Sequence, residues 1–471
     1  MPDIRYVVFS DMHLGAENSI LTNLRADTCE TDTSKASPVM IEMVECLRKV
    51  LAQNKGQQKP TLILNGDLLE LALTSTNNAS MAFERFVELV MPANDEPLFD
   101  KTIYFLAGNH DHNLWERSRT YSYADYLKTL KAGENIRNEL HTTSMFAPNQ
   151  VAENLLTVLI QRSAHLQDVN VNAVYPAHAV LSEDKQKCVI FCHGHYVESM
   201  YSLMTTLNSM VFPDRKQPET LEELEVENYA WVDFFWSTLG RSGSVGKDIS
   251  LIYDKIQDPD EVKIMINNIA ESLSAKNKNI ITRWVEKEVM AEILELTAGK
   301  LASSERNEPD VVLTPDATEG LKKLMETFIL NQFKMELNGY IPPNVSFIFG
   351  HTHKPFEQAM AFEGYASPVK VFNSGGWVVD TMANQPLHGG SVVLVDENMD
   401  IVSIQFYKEG KTSVTLEDIK DENGKGSALY EFLAPLIDTA QEPWAGFSKT
   451  AADEVSMRHQ NLAKIAKSDN G

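Results

Sequence analysis

Five short groups of residues in this chain carry side chains of the kinds that bind divalent metals. They are Asp11-Met12-His13, Gly66-Asp67-Leu68-Leu69-Glu70, Gly108-Asn109-His110-Asp111, His193-Gly194-His195 and Gly350-His351-Thr352-His353. Imidazole nitrogens, carboxylate oxygens and amide oxygens together suit Mn, Fe, Zn or Co without selecting strongly among them. An Asp-x-His triplet alone is common, whereas Gly-Asn-His-Asp and Gly-His-x-His are much rarer, and all five follow strand-like runs. Separate strand and turn caps would account for each group but not for their shared placement. The chemistry such a set could perform is metal-assisted hydrolysis. A carboxylate has two oxygens and can bridge two ions, and ions about 3.5–4 Å apart can clamp an in-line displacement at phosphorus.

Residues so distant in sequence meet only if the strands that carry them end on one edge, as the carboxyl ends of strands in a mixed α/β sheet do. Strand candidates at 4–10, 61–65, 102–107 and 187–192 alternate with helical patterns, the rhythm of a layered α/β domain. Ser37-Pro38 opens a helix ending near Gln53, with cap and first-turn proline in the preferred order. A second helix is expected from Ser80. From about residue 198 to 339 the periodicity turns helical: Ile281, Val285, Val289 and Ile293 line one face, and Leu321, Met325 and Ile329 another. Strands return at 345–349, 369–372, 391–395 and 401–406. The expected organisation is a core in two parts, 1–197 and 341–408, interrupted by an all-helical insertion at 198–340 and followed by a polar, largely helical tail at 409–471.

The length of 471 residues and 43% hydrophobic content allow a large core plus a further domain or insertion. With 66 acidic against 42 basic residues, the net charge of −24 repels polyanions and makes nucleic acid an unfavoured partner. The N-terminus runs straight into a strand and lacks a signal-peptide pattern, and no stretch has the apolar length of a membrane span. A cytoplasmic protein is therefore expected. Cys29, Cys46, Cys188 and Cys192 are too few and scattered for a disulfide framework, and the last two read as core residues.

On these blocks the sequence resembles the calcineurin-like metallophosphoesterase family, whose D-x-H, G-D-x-x-(D/E), G-N-H-(D/E), H and G-H-x-H motifs are all matched. The resemblance covers about residues 4–195 and 345–406. Asn373-Ser374-Gly375-Gly376 is similar to the family's Asn-x-Gly-Ser turn, with Gly376 in place of serine. It implies a β-sandwich flanked by helices and two divalent ions, manganese foremost. Asp11, His13 and His353 would bind one ion, Asn109, His193 and His351 the other, and Asp67 both. The nucleophile would be metal-bound hydroxide, because coordination lowers the pKa of water. His110 would face the phosphoryl group as a catalytic residue, with Asp111 orienting its ring. His193 is preferred to His195 because it follows its strand directly, which leaves His195 and His112 as substrate-side candidates. The strings around Asp11 and His351 look like the UDP-2,3-diacylglucosamine pyrophosphohydrolase-like branch, which usually has Arg where this chain has His110.

The stretch from Gly240 to Lys247 is glycine-rich and invites a phosphate-loop reading, but Arg241 stands where the first glycine is required and Asp248 where Ser or Thr is. An interhelical turn is the favoured reading. Trp231, Phe234, Phe235 and Leu239 form a helical stripe of core type; with Met200, Met204 and Met210 they could instead roof the site and grip an apolar substrate part. The expected function is hydrolysis of a small or lipid-linked phosphoester or pyrophosphate. The alternatives are a DNA or RNA phosphodiesterase of the same family, which the acidity disfavours, and a non-catalytic scaffold on this fold, which the intact ligand set disfavours.

Overall fold

The computed structural model describes residues 2–25, 28–56, 58–147, 151–233, 308 and 310–468. Strands β1 (Ile4–Phe9), β2 (Thr61–Asn65) and β3 (Thr102–Leu106) are parallel neighbours at the centre of an eight-stranded sheet. The sheet is completed on one side by β4 (Val151–Ala152) and β5 (Asn170–Ala173), and on the other by β11 (Gly389–Asp396), β12 (Ile401–Lys408) and β13 (Thr415–Glu417), in the order β13-β12-β11-β1-β2-β3-β5-β4. A second sheet contains β6 (Ala177–Leu181), β7 (Lys187–Cys192), β8 (Asn344–Phe349), β9 (Phe356–Met360) and β10 (Val369–Asn373), in the order β6-β7-β8-β10-β9.

Alternation along each strand builds the layers, because successive side chains point to opposite faces. Val8, Ile63 and Leu106 of the first sheet meet Val189, Phe191, Ile348 and Phe372 of the second in the core between them. Val7 and Phe9 point the other way, into a core shared with helices α1 (Pro38–Leu51) and α2 (Thr76–Val90). Ile190, Phe347 and Phe349 point outward from the second sheet and are covered by Val197, Met200, Leu321, Met325 and Ile329. The central strands of both sheets are therefore buried on both faces and read as nearly continuous apolar runs.

α1 starts where expected: the Ser37 hydroxyl accepts the Met40 N–H at 3.0 Å, just ahead of Pro38. α2 begins earlier than Ser80, because Ser75 is the actual cap and accepts the Asn78 N–H at 3.3 Å. In the insertion, the described helices are Leu203–Val211, Leu221–Val232, Pro315–Lys323 and Leu330–Glu336, the last two joined by a π-helical segment, Leu324–Ile329. The Ile281 to Ile293 stripe, the Gly240 to Lys247 turn and Phe234, Phe235 and Leu239 lie outside the described residues. The cysteines are free, with Cys46, Cys188 and Cys192 buried. No helix among the described residues is long and apolar enough to cross a membrane.

The C-terminal segment departs most from its expected polar character. β13 extends the first sheet, and helix Trp444–Ser468 buries Trp444, Phe447, Ala451 and Val455 in the same core as α1. Arg458, 1% exposed, donates to the carbonyls of Ser19 at 2.9 Å and Thr22 at 2.6 Å, and so braces the loop that follows His13. Trp444→Ala is expected to cost about 3–5 kcal/mol, the scale for truncating a buried aromatic. Chemical denaturation checks it, and a change within about 0.5 kcal/mol, the surface scale, would show that the tail is peripheral.

Candidate metal centre

Strand register brings the five blocks to one edge. Phe9 is level with Leu64, Asn65 with Leu106, Phe191 with Ile348, and Phe349 with Asn373, so the carboxyl ends of β1, β2, β3, β7, β8 and β10 terminate together across both sheets. Beyond them the loops are laced by main-chain bonds. Asp11 N–H donates to the Gly66 carbonyl and His13 N–H to the Asp67 carbonyl, each at 2.9 Å, while Gly350 N–H donates to the His193 carbonyl at 3.0 Å.

Backbone strain collects at this edge. Of the nine non-glycine residues with positive φ among those described, five are candidate ligands: Asp11 (51°), His13 (44°), Asp67 (48°), His351 (68°) and His353 (58°). Each such conformation costs free energy and persists only where the surroundings over-determine it, which is characteristic of functional sites. Neighbouring glycines make room for the side chains so aimed. A Cβ on Gly66 would lie 2.3 Å from His193 Nδ1, and one on Gly376 would lie 2.5 Å from the His353 ring. The glycine at 376, where the resembled family has serine, thus fits the local packing.

The converged side chains form two groups around Asp67. Asp11, His13 and His353 make one, and Asp67, His193 and His351 the other, all buried. Asp67 Oδ2 is 3.8 Å from His13 Nε2 and 3.4 Å from His193 Nε2, so one oxygen faces both groups. Asn109 Oδ1 is 3.1 Å from His193 Nε2, and His353 Nε2 is 3.5 Å from Asp11 Oδ1. Asp67 Oδ1 accepts the His110 N–H at 2.7 Å, which fixes the carboxylate.

Hydrogen bonding on the far side of each ring sets which nitrogen faces inward. His13 Nδ1 donates to Glu70 at 2.9 Å, His353 Nδ1 to Asp380 at 3.0 Å, and His193 Nδ1 to the Asn65 carbonyl at 3.2 Å. In that tautomer all three Nε2 lone pairs point into the cluster. His13 Nε2 and His353 Nε2 then face each other at 3.3 Å, and His193 Nε2 faces the oxygens of Asn109 and Asp67. Lone pairs facing lone pairs repel unless a cation lies among them, so the donor set fits divalent metal.

The electrostatics agree. Burial pushes Asp11 and Asp67 upward, but the imidazoles around them, His193 foremost, hold both below the ordinary carboxylate range. Burial would likewise lower His193, yet Asp67 and Asp11 drive it up to about 9. Within the protein alone, the carboxylates find compensating charge only in protonated imidazole, the place a bound cation would take.

Two expected roles change. The Asp111 carboxylate does not orient the His110 ring; it accepts the N–H groups of Gly108 at 2.7 Å, Leu68 at 2.8 Å and Leu69 at 3.3 Å, tying the second and third blocks together. Glu70 holds His110 instead, taking its Nδ1 at 2.9 Å while its other oxygen takes His13. The Glu70 signal was present in the second block, but spacing alone assigned it no partner. Asp380, which backs His353, belongs to no block. His112 and His195 are brought into a buried network rather than into the cluster. His112 Nε2 donates to Glu225 at 2.8 Å, Tyr175 OH donates to Glu225 at 3.0 Å, and Tyr175 lies 3.2 Å from His195 Nε2. His112, Glu116 and Glu225 also have a spacing that could hold an ion, but Glu116 is engaged by Arg119 at 2.6 Å and Glu225 by His112 and two tyrosines.

Residues 4–229 match the family model for calcineurin-like phosphoesterase. No curated protein matches the chain. The matched stretch contains the first four blocks, while β8, parallel to β7, brings His351 and His353 to them from beyond it. Glu70→Gln should weaken metal retention about 10–100-fold, the usual effect of removing a ligand's carboxylate partner. Metal analysis after dialysis against graded chelator checks this, and retention equal to wild type would show that the Glu70 charge is dispensable.

Proposed function

We propose that this protein is a hydrolase of phosphoester or phosphoanhydride bonds working with two divalent ions. Asp11, His13 and His353 would hold the first ion, Asn109, His193 and His351 would hold the second, and Asp67 would serve both. The observation that carries the proposal is the single Asp67 oxygen facing His13 Nε2 and His193 Nε2 at 3.8 and 3.4 Å, with His353 Nε2 3.3 Å from His13 Nε2 and 3.5 Å from Asp11 Oδ1 beside them. When bound, the ions would polarise the phosphoryl group and lower the pKa of water at the site. Manganese is the proposed first choice on the family resemblance, since oxygens and imidazoles also suit Fe, Zn and Co.

The chain's own residues do the rest. Asp11 and Asp67 balance cationic charge, while the strained backbone holds their carboxylates in place. His110 stands edge-on to His13 at 4.7 Å between ring centroids, and Glu70 lies 2.9 Å from its Nδ1, which orients the ring. Its Nε2 is the proposed donor of a proton to the leaving oxygen. The net charge of −24 favours a small or lipid-linked phosphorylated substrate over nucleic acid. Likeness to the UDP-2,3-diacylglucosamine pyrophosphohydrolase-like branch adds pyrophosphates to the candidates. Residues 198–340 leave from the end of β7 and return at β8, the strands of His193 and His351, and are proposed to form a cap that selects the substrate.

The test is hydrolysis by the manganese-loaded protein of an aryl monoester, an aryl diester, a nucleotide-sugar pyrophosphate and single-stranded DNA. Asp67→Asn and His351→Ala should each lose metal and abolish turnover; two bound ions with full activity in either variant would refute the assignment. His110→Ala should keep its metal and slow turnover about a hundredfold or more, the scale of a positioned acid or base. Loss of metal in that variant would make His110 a ligand.

A further inference from the structure

Every imidazole of the cluster has one ring nitrogen on an oxygen outside it. For His13, His193 and His353 this is Nδ1, and the oxygens belong to Glu70, Asn65 and Asp380. His351 is the exception in two respects. Its contact runs through Nε2, which lies 2.7 Å from Glu198 Oε1, and Glu198 belongs to none of the five blocks. It is the residue at which the chain leaves the turn after His193 for the insertion.

Glu198 is fixed from both ends of that insertion. Its own N–H donates to the His195 carbonyl at 3.2 Å, and its carbonyl accepts the Tyr201 N–H at 3.1 Å. The next residue, Ser199, donates its N–H to Asp316 at 3.0 Å, on the returning helix Pro315–Lys323. That helix approaches so closely that a Cβ on Gly320 would stand 1.9 Å from the Val197 carbonyl oxygen. Tyr201 completes the setting, edge-on to His351 with ring centroids 4.9 Å apart. Glu198 is 7% and His351 5% exposed, so the carboxylate has left water to stand against this ring. Burying a carboxylate is costly without a charged or hydrogen-bonding counterpart.

We propose that Glu198 is the positioning residue of His351: its carboxylate holds the Nε2 side of the ring and leaves Nδ1 to the second metal. The proposal rests on the dinuclear reading above. Under it, the insertion contributes directly to the metal centre, since its first residue takes for His351 the part that Glu70 takes for His13. A carboxylate on the outer nitrogen fixes both ring orientation and tautomer and strengthens the inner nitrogen as a ligand.

The experiment is manganese titration by calorimetry, with metal analysis, on the full chain and on Glu198→Gln, Glu198→Ala and His351→Ala. Wild type should take two ions and His351→Ala one. Both Glu198 variants should keep two sites with the second weakened about 10–100-fold, the usual range for loss of such a partner. Glutamine keeps the size of the side chain but not its charge. If Glu198→Gln binds both ions as wild type does, the residue only fills space and the proposal is overturned. Should Glu198→Ala fail to fold, the glutamine variant decides alone. A wild-type protein that binds fewer than two ions, or a His351→Ala variant that keeps both, would instead overturn the dinuclear reading itself.

Discussion

Asp11, Asp67, Glu70 and Asp111 are all buried to 1% exposure or less at one edge of the protein, among five buried imidazoles, those of His13, His110, His193, His351 and His353. Anions removed from water at such density are tolerated only if positive charge and hydrogen-bond donors are brought to each of them. Much of the surrounding structure supplies that compensation. Asp111 is satisfied by three main-chain N–H groups, Glu70 by two imidazoles and the N–H groups of Ala72 and Leu73, and Asp11 by the His351 N–H. The remaining demand sits between the rings, where lone pairs face one another and a cation fits.

The two sheets solve a geometric problem set by this demand. No single strand end can present seven candidate ligands, but the level ends of β1, β2 and β3 in one sheet and of β7 and β8 in the other close on the site from opposite sides. The apolar core between the sheets, Val8, Ile63, Phe191 and Ile348 among others, sets their separation. Left-handed backbone at five ligands then turns side chains back across the edge, at a local cost that packing and main-chain bonds sustain.

The convergence of the five blocks was legible in the sequence because each candidate ligand sits within a few residues of its strand, and the strands are apolar enough to recognise. What sequence concealed was partnership across space. The resemblance implied that Asp111 held the His110 ring; in the fold Asp111 reaches the backbone of the neighbouring loop and Glu70 reaches the ring. Asp380 and Glu198 stand in no motif, since a residue that backs a ligand needs only to arrive from any direction. Short strands such as β4 and β5 lack the length to show alternation. The tail was expected to be helical, but its buried face was masked by the polar exposed one, although Trp444, Phe447, Ala451 and Val455 follow a helical period.

The Arg458 brace ties together parts of the chain that lie far apart in sequence. The loop it holds follows His13, and the guanidinium stands 439 residues beyond Ser19. Without helix Trp444–Ser468 docked on α1, the carbonyls of Ser19 and Thr22 lose the donor that fastens them. The shape of the loop after His13 therefore depends on a contact made from far along the chain as well as on the sheets.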